Sequence, residues 1–171
     1  MLNWRNIANL KVFKSLTFKA DAMIRSKTIS GVGVERNAST LMAARVVTLV
    51  DDHIIQPDEN GTRYILNNTG NIVVDLPLPE VGFEFWFYVG PTEPTGTQHK
   101  VRTSGNANIM VGVICSAEDA AGSTTVIQAA DDVNFKGHAA VHGDYAHVWC
   151  DGSYYYVDAM CAVQDGIFLA T

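Results

Sequence analysis

His138, His142, Asp144 and His147, with Cys150 beyond them, are the cluster in this sequence whose residue types could hold a metal ion or move a proton. Imidazole nitrogens and a thiolate are zinc ligands, and the spacing from His138 to His142 would align both rings on one face of a helix. Gly137, Ala139, Ala140 and Gly143 read instead as a loop, and no Glu stands where a metalloprotease helix places its base. The expectation is loop histidines near a strand end, with no metal and no cofactor. Asp51-Asp52 and Asp131-Asp132 are carboxylate pairs, but neither fits a calcium loop, and adjacent acids at turns are usually solvated. Gly31-Val32-Gly33 has no Lys-Ser/Thr after it and reads as a flexible linker, not a phosphate loop. No Gly-x-Ser-x-Gly elbow accompanies the serines, so no catalytic residue is assigned and the chain is expected not to be an enzyme. Tyr154, Tyr155 and Tyr156, with Trp149 and Trp86, could build an aromatic platform for a sugar. On a strand Tyr154 and Tyr156 share one face and Tyr155 takes the other, so one set packs in the core and the other forms an oligomer or ligand surface.

The elements that must carry these residues are strands. Val, Ile, Thr, Tyr and Phe recur between Gly-, Asn- and Asp-rich breaks from Ala43 onward. Strand signals cover residues 45–50, 53–55, 62–66, 71–76, 82–90, 99–103, 108–115, 124–128, 132–135, 145–150 and 153–159. Pro57 and Asn60-Gly61 punctuate the first of these, and Leu76-Pro77-Leu78-Pro79 must leave its sheet, because proline donates no ladder hydrogen bond. Residues 62–66 and 71–76, joined by Asn67-Asn68-Thr69-Gly70, predict a hairpin, and Asp151-Gly152 predicts a second hairpin with a type I′ turn. The aromatic run from Gly82 to Gly90 predicts a central strand. Short strands at this spacing, with no helical pattern between them, predict an all-β fold: an antiparallel β-sandwich or jelly-roll-like body over 43–171 with an extended N-terminal arm over 1–42.

Charge divides the chain in the same place. The 171 residues carry a net charge of −6. Residues 1–48 hold Arg5, Lys11, Lys14, Lys19, Arg25, Lys27, Arg36 and Arg45 against only Asp21 and Glu35. The remainder is strongly acidic, so it repels nucleic acid and anionic lipid, and neither is expected as a partner. Within the arm, Trp4, Ile7, Leu10, Phe13 and Leu16 recur every third residue, which leaves open a short amphipathic helix near 3–15 ahead of an extended stretch from Leu16. Cys115, Cys150 and Cys161 are odd in number and lack metal spacing, so buried reduced thiols are expected. The first residues lack a signal-peptide core and no run reaches about 18 apolar residues, so synthesis in a cytoplasm without membrane insertion is expected.

Two runs also carry a resemblance: GTRYILNNTGNIVVDLPLPEVGFEFWFYVG, and later YAHVWCDGSYYYVDAM. The order Gly61, Asn67, Gly70, Leu76, Pro77, Gly82 and Phe85 to Tyr88, followed late by Val148, Trp149, Asp151, Gly152 and Tyr154 to Tyr156, resembles structural proteins of tailed-phage virions, above all capsid decoration (cement) proteins. The resemblance implies a body that assembles as a trimer, sits on the outer capsid surface of the virion and clamps major capsid proteins together. An arm bearing Trp4, Arg5, Lys11, Phe13, Lys14, Phe18, Lys19, Arg25, Lys27 and Arg36 would then dock on an acidic shell. The alternatives are a carbohydrate- or receptor-binding fibre or head-spike domain and a metal-dependent, cupin-like jelly-roll enzyme.

Overall fold

The computed structural model describes residues 24–27, 33–36, 45–105, 107–118 and 124–171. The chain forms two compact units, Met1–Ala44 and Arg45–Thr171. In the first, β1 (Ile24–Lys27) and β2 (Gly33–Arg36) pair antiparallel, with Arg25 opposite Glu35. Gly33 and Val34, expected in a loose linker, thus belong to a strand. The proposed arm residues Trp4, Arg5, Lys11, Phe13, Lys14, Phe18 and Lys19, and the helix near 3–15, lie outside the described residues.

The second unit is all-β. Its strands are β3 (Val46–Leu49), β4 (His53–Ile54), β5 (Arg63–Leu66), β6 (Val73–Asp75), β7 (Val81–Val89) and β8 (His99–Arg102). They continue as β9 (Met110–Ser116), β10 (Thr124–Ala130), β11 (Asp132–Phe135), β12 (Tyr145–Asp151), β13 (Tyr155–Cys161) and β14 (Ile167–Ala170). A seven-stranded sheet runs β10-β9-β13-β12-β7-β5-β3 and a five-stranded sheet runs β14-β11-β8-β6-β4. Both are mixed, which corrects the expectation of purely antiparallel pairing.

From β3 to β8 successive strands alternate between the two sheets, so β3, β5 and β7 stack in parallel in one and β4, β6 and β8 in the other. Val47, Tyr64 and Phe87 fall in one register row, and Leu49, Leu66 and Val89 in the next. The predicted 62–76 hairpin is therefore a corner between sheets. Asn67 and Asn68 identify a turn, but their side chains bond across the stack and do not close a hairpin: Asn67 Oδ1 accepts the Thr92 N–H at 2.8 Å, and the Asn68 amide donates to the Val50 carbonyl. The Asp151-Gly152 hairpin does join β12 to β13. Its central pair is Gly152-Ser153, with only Gly152 at positive φ (+97°), which makes a type II′ turn instead of type I′.

The inward faces of both sheets meet in one apolar cluster. Phe83, Phe85, Phe87 and Val89 come from β7, Val148 and Cys150 from β12, Tyr155 and Val157 from β13, and Val101, Val133, Phe135 and Ile167 from the other sheet. Each such side chain contributes roughly 1.5–3 kcal/mol when fully buried, so period-two alternation along β7, β12 and β13 is what fixes their facing. Cys150 and Cys161 are buried free thiols, whereas Cys115, expected inside, is exposed on the outer side of β9.

Glu59, at the end of a 3-10 turn over Pro57–Glu59, ties the start of the stack together. Its carboxylate accepts from the Gln56 N–H and pairs with His53 Nε2, both at 2.9 Å, and with the Arg45 guanidinium at 3.2 Å. Burial opposes its ionisation, but the Gln56 N–H, His53 and Arg45 outweigh that and hold the carboxyl below its ordinary range. A depressed carboxyl stabilises the fold above its unfolded pKa, and the contribution disappears as pH falls through the folded value. Glu59→Ala is expected to cost about 2 kcal/mol in urea unfolding at neutral pH, and less in acid.

Candidate functional site

The outer face of the seven-stranded sheet gathers the aromatic residues that do not point into the core. On β7, Glu84, Trp86 and Tyr88 alternate with the inward phenylalanines, and on β12 Tyr145, His147 and Trp149 alternate with Ala146 and Val148. Antiparallel register sets Trp86 beside His147, Tyr88 beside Tyr145 and Trp149 beside Glu84. The β13 strand adds Tyr156 opposite Trp149 and Met160 opposite Tyr145.

These rings lean on one another. Trp86 and His147 stack at 4.0 Å between centroids and 14° between planes, and Trp149 and Tyr156 at 4.2 Å and 13°. Tyr145 lies 5.9 Å from both Trp86 and Tyr88. The Arg63 guanidinium on β5 lies 6.0 Å from the Trp86 ring centre, so Trp86 has a cation on one side and an imidazole on the other. Glu84 then holds both neighbours, accepting from the Trp86 indole at 3.3 Å and meeting His147 Nε2 at 3.0 Å. The result is a wide aromatic surface whose rings are already stacked, with Glu84, His147 and, opposite His147, the exposed Asp158 as its polar members. Trp149 is 38% exposed and Met160 48%.

The tyrosine triplet divides as alternation requires. Tyr155 is fully buried, donates its hydroxyl to the Pro77 carbonyl at 3.0 Å, and is pushed well above the ordinary phenol range by burial. Tyr156 lies on the outer face and donates to Asp151 Oδ2 at 2.9 Å. Tyr154 is exposed at the turn, where its N–H and that of Ser153 both reach Asp151 Oδ1 at 2.8 Å. Those N–H donors and the Tyr156 hydroxyl hold the Asp151 carboxyl below its ordinary range. The sequence does not single out Tyr145, carries Tyr88 only within the resembling run, and presents His147 as a candidate metal ligand and not as part of an aromatic face. Their signal was there as period-two alternation on β7 and β12, but which strands are neighbours is a long-range fact.

The candidate metal ligands are not brought together. His147 is engaged with Trp86 and Glu84 on the outer face, Cys150 points into the core, and the Asp144 carboxylate accepts from the Val141 and Ala162 N–H groups at 3.0 and 2.9 Å. His138 occupies a left-handed turn with its N–H on the Pro94 carbonyl, and the His142 N–H donates to Glu93 at 2.7 Å. Among the described residues no three His, Cys, Asp or Glu side chains are arranged to hold a metal ion. Three of the four paired acids have structural partners: Asp52 caps the Val73 N–H at 2.7 Å, Asp131 accepts from Asn108 N–H, and Asp132 pairs with Lys100 at 2.6 Å, while Asp51 is exposed. Arg25, Lys27 and Arg36 are placed only by their backbone, on β1 and β2. Among the described residues no helix is long and apolar enough to cross a membrane. Comparison with family models, with curated proteins and with solved structures gives no match to this chain.

Proposed function

We propose that this protein is a structural subunit of a virion, a capsid decoration protein that binds the outer shell as a homo-oligomer and holds major capsid proteins together. The observation that carries the reading is the aromatic outer face of the seven-stranded sheet. Its rings are pre-stacked and half-buried, so covering them with another protein removes apolar area from water at little cost in side-chain ordering. Aromatic anchors of this kind dominate the energy of protein interfaces. Two facing sheets over one core suit a sandwich-like body with a mechanical task, since such a body deforms little under load. His147 and Glu84 on this face are engaged with each other and with Trp86, which supports a role for them in holding the aromatic surface.

Co-sedimentation with shells that lack the protein tests this reading. Full-length protein is expected to bind saturably, and a Trp149→Ser, Met160→Lys double variant to bind at least about a hundredfold more weakly with unchanged thermal stability. Equal binding by the double variant would remove the aromatic face from the interface. A carbohydrate-recognising fibre or spike domain is the second reading, favoured by exposed Trp149 and Tyr154 beside the Asp151 turn. Against it, Trp86 is stacked on His147 and Trp149 on Tyr156, so each ring has at most one face left for a sugar. Glycan adsorption that Trp149→Ser abolishes, with no binding to shells, would establish that reading instead.

A further inference from the structure

The parallel stack ends at β3 and β4, and among the described residues no strand pairs with the far side of either. On the near side of β3, the Arg45 and Leu49 carbonyls accept from Arg63 and Asn67 at 2.8 and 2.9 Å. By alternation, the N–H and C=O of Val46 and Thr48 face the open side. An open edge of this kind is a template for another strand, and β3 has neither proline, lysine nor bulge to guard it.

Its sequence also states which strand fits. Read outward from Thr48 in Arg45-Val46-Val47-Thr48-Leu49-Val50-Asp51, the residues match in size and oppose in charge: Val47 with Leu49, Val46 with Val50, Arg45 with Asp51. An antiparallel copy with Thr48 opposite Thr48 sets each of these pairs on the same face, as strand pairing requires. β3 itself ends at Leu49, and Val50 and Asp51 follow in a bend that straightens by two residues on pairing. Val46 is 58% exposed and Val50 51%, the Arg45 side chain is 49% exposed beyond its contact with Glu59, and Asp51 is exposed. Sliding the register by two residues in one direction loses both charge pairs, and in the other sets Asp51 and Asp52 against Val47 and Val46. Ile54, 64% exposed on β4, lies at the same end of the stack.

We propose that two copies of this chain pair edge to edge through β3 about a two-fold axis at Thr48, extending the seven-stranded sheet across the dimer. Thr48 forms a reciprocal pair of main-chain hydrogen bonds with its counterpart, and the Val50 N–H donates to the Val46 carbonyl of the other copy. Such an isologous contact closes at two. It goes beyond the decoration reading and does not depend on it, because β3 lies at the sheet edge and the aromatic residues on its outer face.

The test uses the full chain with the exposed Cys115 replaced by serine, so that added thiols report alone. Light scattering is expected to give twice the chain mass. Thr48→Cys is expected to cross-link to a covalent dimer with oxidised glutathione, because opposed Cα atoms in a hydrogen-bonded antiparallel pair stand about 5.5 Å apart, within disulfide reach. Val46→Cys is the control: its two copies would stand about 13 Å apart and should not link. Asp51→Arg, which sets Arg opposite Arg45, is expected to raise the dimer dissociation constant at least about tenfold. A monomer or a trimer in solution, cross-linking of Val46→Cys as fast as Thr48→Cys, or a dimer unaffected by Asp51→Arg would each overturn the proposal. Failure to bind shells bears on the decoration reading alone.

Discussion

Gly112→Ala is expected to destabilise the Arg45–Thr171 unit by about 3 kcal/mol or more, lowering its melting temperature by roughly 10 °C. Gly112 lies on β9 directly opposite Val157 on β13, in the parallel pair by which β9 and β10 join the rest of the seven-stranded sheet. A Cβ at Gly112 would stand 2.1 Å from the Val157 carbonyl oxygen and 2.8 Å from its Cβ. The nearest obstacle is backbone held in a ladder, so no side-chain rotation relieves it and the two strands must separate. Gly96→Ala is the matched control, since a Cβ there meets nothing within 4 Å and Gly96 has no positive φ. Calorimetry on both variants checks the expectation, and amide exchange should rise first in β9 and β10. Equal melting temperatures for the two alanine variants would mean that β9 and β13 are not this close.

Acid unfolding is the second large effect, and His99 is its source. The residue is fully buried on β8, and neither ring nitrogen has a hydrogen-bond partner. Burial drives its pKa down to about 4, and the nearby Asn68 backbone, which falls short of hydrogen-bond geometry, offsets this only in part. The unfolded chain therefore takes up a proton near pH 6.5 that the folded chain refuses until about pH 4. More protons on the unfolded state means that stability falls as pH falls, starting near the unfolded value and ending at the folded one. Across that window the loss is about 3 kcal/mol. His99→Leu should abolish it: urea-unfolding free energies of the variant at pH 6.5 and 4.5 should agree far better than those of the native protein. At neutral pH the variant should be as stable or more so, because it removes two orphaned polar atoms. An unchanged pH dependence would place the acid sensitivity in the carboxylates, Glu59 first, whose contribution is lost at lower pH.

His99 also illustrates what the sequence could not supply. In the run His99 to Thr103 the alternation with Val101 is legible and predicts a strand, but a histidine at an inward position reads as polar punctuation until the core around it is known. The same limit produced the misread corner at Asn67-Asn68. A strand–turn–strand pattern is local, whereas the choice between closing a hairpin and crossing to the other sheet depends on partners far along the chain. For β5 those partners are β3 and β7, and for β6 they are β4 and β8. Strand β14 was overlooked although Asp165-Gly166 stands directly before Ile167-Phe168-Leu169-Ala170; its place beside β11, far along the chain, is a long-range fact.

By itself, the sequence determined that the body is all-β, that β7 is a central strand, that Tyr155 and Tyr156 take opposite faces, and that Asp151-Gly152 joins two neighbouring strands. Each of these follows from short-range physics: the period of two on a pleated strand, the missing N–H of proline, and the positive φ that glycine accepts without strain. Only the tertiary structure decided that the pairing is mixed, that Trp86, Tyr88, Tyr145, His147, Trp149 and Tyr156 form one outer face, and that the histidine and aspartate cluster disperses. Those are matters of strand order and register, set by which apolar faces bury one another across the core. No local interaction along the chain carries that information.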